Sequence, residues 1–98
     1  MNSLKDLTIQ IHDRLIETSS GIGVNIKGIR YDACMDRAKD FIQMANIVAI
    51  EHPFFDGNKR TAYVLWRLFQ WGPYEDVYKI IDLIIDLDRE WLTILAQI

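Results

Sequence analysis

Nine consecutive residues concentrate the groups that could do chemistry: His52-Pro53-Phe54-Phe55-Asp56-Gly57-Asn58-Lys59-Arg60. Taken singly, each has a plain structural use. His52 could end a helix, Asp56 could cap the next one, Gly57-Asn58 is a common turn pair, and Lys59 and Arg60 could be a solvated patch. Taken together they suit phosphate chemistry. His52 can act as a general base near neutral pH. Asp56 offers oxygen ligands suited to Mg²⁺, the usual companion of nucleotide phosphates. Gly57 lets the backbone approach a ligand closely. The backbone N–H groups of Gly57, Asn58 and Lys59 would lie at a helix start, where they favour an anion. Arg60 can grip a phosphate through two parallel hydrogen bonds.

The elements that hold this stretch must be helices. Leu4, Leu7, Ile11 and Leu15 recur at helical spacing and predict a helix over 4–18, with Ser3 as its cap. Ser19, Ser20, Gly21 and Gly23 end it. Val24 to Ile29 reads as a short flap, extended or a hairpin and closed by Gly28, too short to build a sheet. Asp32 is a candidate N-cap for one helical stretch reaching Glu51, with Cys34, Ala38, Phe41, Ile42, Ala45, Val48 and Ala49 on its apolar face. Pro53 disfavours helix at His52 and removes a backbone donor. The next helix begins at Gly57 or Asn58, turns Ala62, Leu65, Trp66 and Phe69 inward, and stops at Gly72-Pro73. From Glu75 the spacing resumes through Val77, Ile80, Ile81, Ile84, Leu87, Trp91, Ile94 and Leu95, as one helix or as two broken near Asp88. The expectation is an all-α fold: one compact helical domain over residues 1–98 with a short flap, and the reactive loop between two helices.

Composition narrows the function. Half of the 98 residues are apolar and 26% are charged, the balance of a globular chain. No apolar run approaches the ~18 residues of a membrane span, and the polar start lacks a signal-peptide core, so a cytoplasmic protein is expected. The net charge is −3. Lys and Arg are scattered, and the C-terminal third carries Asp76, Asp82, Asp86, Asp88 and Glu90, so bulk attraction to nucleic acid is not indicated. Cys34 is the single cysteine, read as a buried apolar residue rather than a reactive thiol. With two histidines and one cysteine, a structural zinc site is not expected. Trp66, Trp71 and Trp91 read as core residues, with Trp71 the most exposed of them.

At every specified position the loop matches His-x-Phe-x-Asp-Gly-Asn-x-Arg, and it resembles the motif of the Fic/Doc family. The resemblance extends more weakly to Ile11-His12-Asp13-Arg14-Leu15-Ile16, Ser20-Gly21 and Gly28-Ile29-Arg30-Tyr31-Asp32, which look like the opening of death-on-curing proteins. It implies an all-α enzyme, a transferase that uses ATP or another nucleoside triphosphate with Mg²⁺ to modify a Ser, Thr or Tyr hydroxyl of a target protein. His52 would deprotonate that hydroxyl and Phe54 would anchor the loop in the core. Asp56 would hold Mg²⁺, Gly57, Asn58 and Lys59 would cradle phosphates, and Arg60 would neutralise them. His12 shares the resemblance but is assigned a structural role.

Two positions set the branch. Members that transfer AMP usually carry Gly where this chain has Lys59, and a second Arg where it has Tyr63. Both differences match the Doc toxin branch, which transfers the terminal phosphate. That branch acts on translation elongation factor Tu and is held in check by a separate antitoxin. The expected activity is therefore Doc-like phosphoryl transfer. The alternatives are a Fic-type adenylyltransferase, or a binding module that keeps the fold without the reaction. The stretch between Asp32 and His52 looks shorter than in the family, and the inhibitory Ser/Thr-x-x-x-Glu-Gly/Asn helix of some members is not evident.

Overall fold

The computed structural model describes residues 3–18, 28–71 and 76–97. Within them the chain is all-α: α1 (Leu4–Thr18), a short 3-10 helix (Ala33–Arg37), α2 (Phe41–Glu51), α3 (Asn58–Trp71), α4 (Val77–Leu87) and α5 (Arg89–Gln97). The turn signals at 19–23, most of the flap at 24–27 and the Gly72-Pro73 stop lie outside the described residues.

α1 starts where the sequence places it. Ser3 Oγ accepts from the Asp6 N–H at 3.1 Å, satisfying one of the donors that a helix start leaves open. Its inner face carries Thr8, Ile11, His12, Leu15 and Ile16, all buried. The buried ends of Met44, Val48, Phe54, Val64, Leu65 and Leu68 fill the centre between α1, α2 and α3. α4 and α5 close the other side with Ile81, Ile84, Ile85 and Leu92.

The single helix expected over 32–51 is two elements. Asp32 does stand before the first, but makes no capping bond with its side chain. Its carboxylate pairs with Lys5 on α1 instead, at 3.2 Å. The chain becomes extended at Ala38, and Asp40 starts α2 afresh by accepting from the Gln43 N–H at 2.8 Å. The later break falls at Asp88, so α4 and α5 are separate helices.

The inward stripe of α3 also differs from the expected one. Ala62 and Leu65 are buried, but Trp66 and Phe69 are exposed, and the buried face continues through Arg60, Thr61, Val64 and Leu68. Trp71 and Trp91 are exposed as well, Trp91 more than Trp71. Tryptophan spaced for a helix face does not decide which face: Tyr63, Trp66 and Trp91 gather instead as a tilted aromatic group on the α3–α5 side. No helix of the described residues is long and apolar enough to cross a membrane.

Candidate active site

The loop between α2 and α3 is built from its ends inward. α2 stops at His52, whose backbone sits in the left-handed region at φ 51°, ψ 63° while its N–H still reaches Val48 O. His is among the residues that tolerate this conformation, at some cost in energy. The bend turns the chain out of the helix, and Pro53 then forbids a further helical hydrogen bond. Pro53 O accepts from Arg30 N–H at 2.6 Å, Phe55 N–H donates to Gly28 O at 3.3 Å, and Ile29 bridges Phe54. The described end of the flap is therefore fastened along the loop.

Two phenylalanines part company here, with Phe54 inward as the resemblance implies. Phe54 is fully buried and Phe55 is 58% exposed. Two polar side chains fix Phe54. Asn58 brackets its backbone, with Oδ1 accepting from Phe54 N–H at 3.0 Å and Nδ2 donating to Phe54 O at 2.8 Å. His12 stacks flat on its ring, centroids 3.9 Å apart and planes 5° from parallel. Asn58 thus has a loop-shaping task in its side chain beyond the cradle role expected of its N–H.

A cleft of about 190 Å³ opens at the start of α3, lined by His52, Phe55, Asp56, Gly57, Asn58, Lys59 and Arg60 together with Leu95 and Ala96 of α5. His52, Asp56, Gly57, Asn58, Lys59 and Arg60, the loop residues singled out for phosphate chemistry, all line it, and Phe54 is buried. The Asp56 carboxylate sits across the helix start. Its Oδ1 accepts from Gly57 N–H at 2.8 Å, and its Oδ2 lies 3.6 Å from the guanidinium of Arg60, which is itself 3% exposed. An anionic group thus already rests between a helix-start N–H and a buried guanidinium, the arrangement expected to suit a phosphate. At about 190 Å³ the cleft is smaller than a whole small-molecule site of ~300 Å³ or more.

Among the described residues no cluster of three or more metal-ligating side chains occurs. Magnesium does not need one. It keeps most of its ligands from water and phosphate, with one or two carboxylates from the protein. Asp56, a third exposed at the cleft, fits that part.

Tyr63, which the sequence marked as setting the branch, does not line the cleft. Its hydroxyl donates to Asp88 at 2.9 Å. One contribution escaped the sequence reading: the α5 wall, Leu95 and Ala96, leaves no local signal. His12, assigned a structural role from the sequence, is buried and hydrogen-bonds to Asp56 O through Nε2. Compared with known proteins, the chain matches no family model, no curated sequence and no solved structure.

Proposed function

We propose that this chain transfers the terminal phosphoryl group of a nucleoside triphosphate to a hydroxyl on another protein, as Doc-like members of the Fic/Doc family do. The observation that carries the reading is the Asp56 carboxylate resting between Gly57 N–H and Arg60 at the α3 start, one loop away from an exposed His52. The motif resemblance supports it independently.

In this reading His52 takes the proton from a Ser or Thr hydroxyl of the target. The freed oxygen attacks the γ-phosphorus, and the bond from that phosphorus to the bridging oxygen breaks, releasing a nucleoside diphosphate. Magnesium, when bound at Asp56, supplies charge neutralisation of the phosphates. Drawing the Asp56 carboxylate away would open the Gly57 N–H to a phosphate oxygen beside Arg60. The first-turn N–H groups of α3 and the helix dipole add to that attraction. The exposed ring of Phe55 at the cleft mouth supplies an apolar contact for the target.

The resemblance also supports translation elongation factor Tu as the target and an antitoxin as the natural inhibitor. The test is direct. The purified protein is incubated with a translation extract and ATP labelled at either the α or the γ position. Label from γ on a protein band supports the proposal. Label from α marks an adenylyltransferase, and no label from either marks a binding module.

A further inference from the structure

We infer that His12 is a positioning residue, whose Nε2–H locks the Asp56–Gly57 peptide so that the Gly57 N–H faces the cleft. The inference rests on the reading of that cleft as a phosphate cradle.

His12 is 1% exposed, on the inner face of α1. Its Nε2 lies 2.7 Å from Asp56 O. A carbonyl oxygen can only accept, so the proton of this bond belongs to Nε2. The peptide is trans, and the C=O and N–H of a trans peptide point in opposite directions. A carbonyl held toward α1 therefore sends the Gly57 N–H the other way, and there it meets Asp56 Oδ1 on the cleft side.

The lock has something to oppose. Gly57 has φ +79°, and glycine accepts either sign of φ with little cost. Rotating this peptide would turn the carbonyl into the cleft and withdraw the first donor of the cradle. In that orientation a carbonyl oxygen would face the phosphates. The His12 bond biases the loop against it. The ring also crowds position 57: a Cβ there would meet His12 Cδ2 at 3.3 Å and Ile16 Cδ1 at 3.4 Å. His12 thus contacts Phe54 by stacking, Asp56 by hydrogen bond and Gly57 by close approach. Its Nδ1 lies 3.2 Å from Asp13 Oδ1.

Packing and positioning are separable by substitution. His12→Phe keeps a ring of similar size on Phe54 and removes the donor. His12→Gln restores a donor at nearly the same reach and gives up the ring. The measurement is a titration of each protein with magnesium ATP and with inorganic pyrophosphate, read at the Gly57 amide by proton–nitrogen NMR. The unmutated protein is expected to bind both, with a large shift at Gly57. His12→Phe is expected to bind about tenfold more weakly, the scale of one hydrogen bond, with the Gly57 shift reduced. His12→Gln is expected to recover most of the affinity, which a purely packing role would not allow. Equal binding and an equal Gly57 shift in His12→Phe would overturn the positioning role alone. No binding by the unmutated protein would overturn the cradle reading and this inference with it. Should His12→Phe not fold, the unmutated protein still decides: a scalar coupling across the hydrogen bond from His12 Nε2 to the Asp56 carbonyl carbon is expected, and its absence overturns the lock.

Discussion

The hydroxyl of Tyr63 donates to Asp88 Oδ2 at 2.9 Å, and Arg67 Nε donates to the same oxygen at 3.0 Å. One carboxylate at the α4–α5 break thus ties both of the helices that meet there to α3. Because α5 supplies Leu95 and Ala96 to the cleft, this small network also fixes one wall of the site. Arg67 is further steadied over the Trp71 ring, 5.5 Å from its centroid.

The Tyr63–Asp88 bond predicts a pH dependence. Burial, then the hydrogen bond to Asp88, raise the Tyr63 hydroxyl above its ordinary value near 10. Below that value both folded and unfolded chains hold the proton, and the stabilisation is complete. Above it the unfolded chain releases its proton first, so stability falls until the folded hydroxyl ionises too. Tyr63→Phe should lose about 0.5–1.5 kcal/mol at pH 8 and show a shallower decline between roughly pH 10 and 12. Thermal melts across that range compare the two slopes. Parallel slopes would contradict the shift.

Phe54 and Phe55 should differ sharply in stability. Phe54→Ala removes a fully buried ring and strands His12 without its stacking partner, and should cost about 3–5 kcal/mol. Phe55 is mostly in solvent, so Phe55→Ala should stay within about 0.5 kcal/mol. It should weaken target modification instead. Chemical denaturation of the two variants provides the comparison, and equal midpoints would refute the inward and outward assignment.

How much of this was legible follows from what each signal encodes. Ser3 before a run of helical spacing, Pro53 after His52 and the Gly57-Asn58 pair are local chemistry, and the helix ends they predict are observed. The inward placing of Phe54 followed from the motif. The break before α2 was legible too, in Asp40 followed three residues later by Gln43. There Gln43 Oε1 accepts from Lys39 N–H at 2.9 Å. Apolar spacing across Ala38, Phe41 and Ile42 masked it, because a 3-10 turn and an α-helix share the i, i+3 interval. The exposure of Trp66 and Phe69 was not legible. Which stripe of α3 faces inward depends on the placement of α1 and α4, a tertiary matter. The α5 wall is likewise set by a contact between residues far apart in sequence.

His52→Ala tests the proposed base. The left-handed backbone at His52 is tolerated by Ala less well than by His, so His52→Asn, which accepts that conformation, is the cleaner partner variant. Both remove the proton acceptor and should lower transfer by about 10²–10⁴-fold. Neither should change the binding of magnesium ATP by more than a few-fold, since the groups read as holding the phosphates are Gly57, Asn58, Lys59 and Arg60 and not His52. Initial rates and a nucleotide titration separate the two effects. Full turnover in His52→Asn would remove His52 from the reaction.

The choice of phosphate is the last and most discriminating expectation. In the AMP-transferring pattern a second Arg fixes the outer phosphates, so that the α-phosphorus faces the base. Here that position is Tyr63, and its side chain reaches toward Asp88 rather than into the cleft. Lys59, exposed on the cleft edge, narrows the cradle where the other pattern has Gly. The γ-phosphate is therefore expected to face His52, and the target should gain phosphate and not AMP. The geometry also defines an experiment that should reverse this choice. An Arg introduced at position 63 would meet the Asp88 carboxylate first, because that oxygen already gathers the Tyr63 hydroxyl and Arg67. Lys59→Gly with Tyr63→Arg should consequently remain a phosphotransferase. Adding Asp88→Asn, which weakens that hold, should release the new guanidinium toward the phosphates and bring AMP transfer into view. Mass spectrometry of the modified target distinguishes the two products, with melting curves confirming that each variant is folded. AMP on the target from the unmutated protein would refute phosphoryl transfer. AMP transfer by the double variant as strong as by the triple one would show that Asp88 does not restrain position 63.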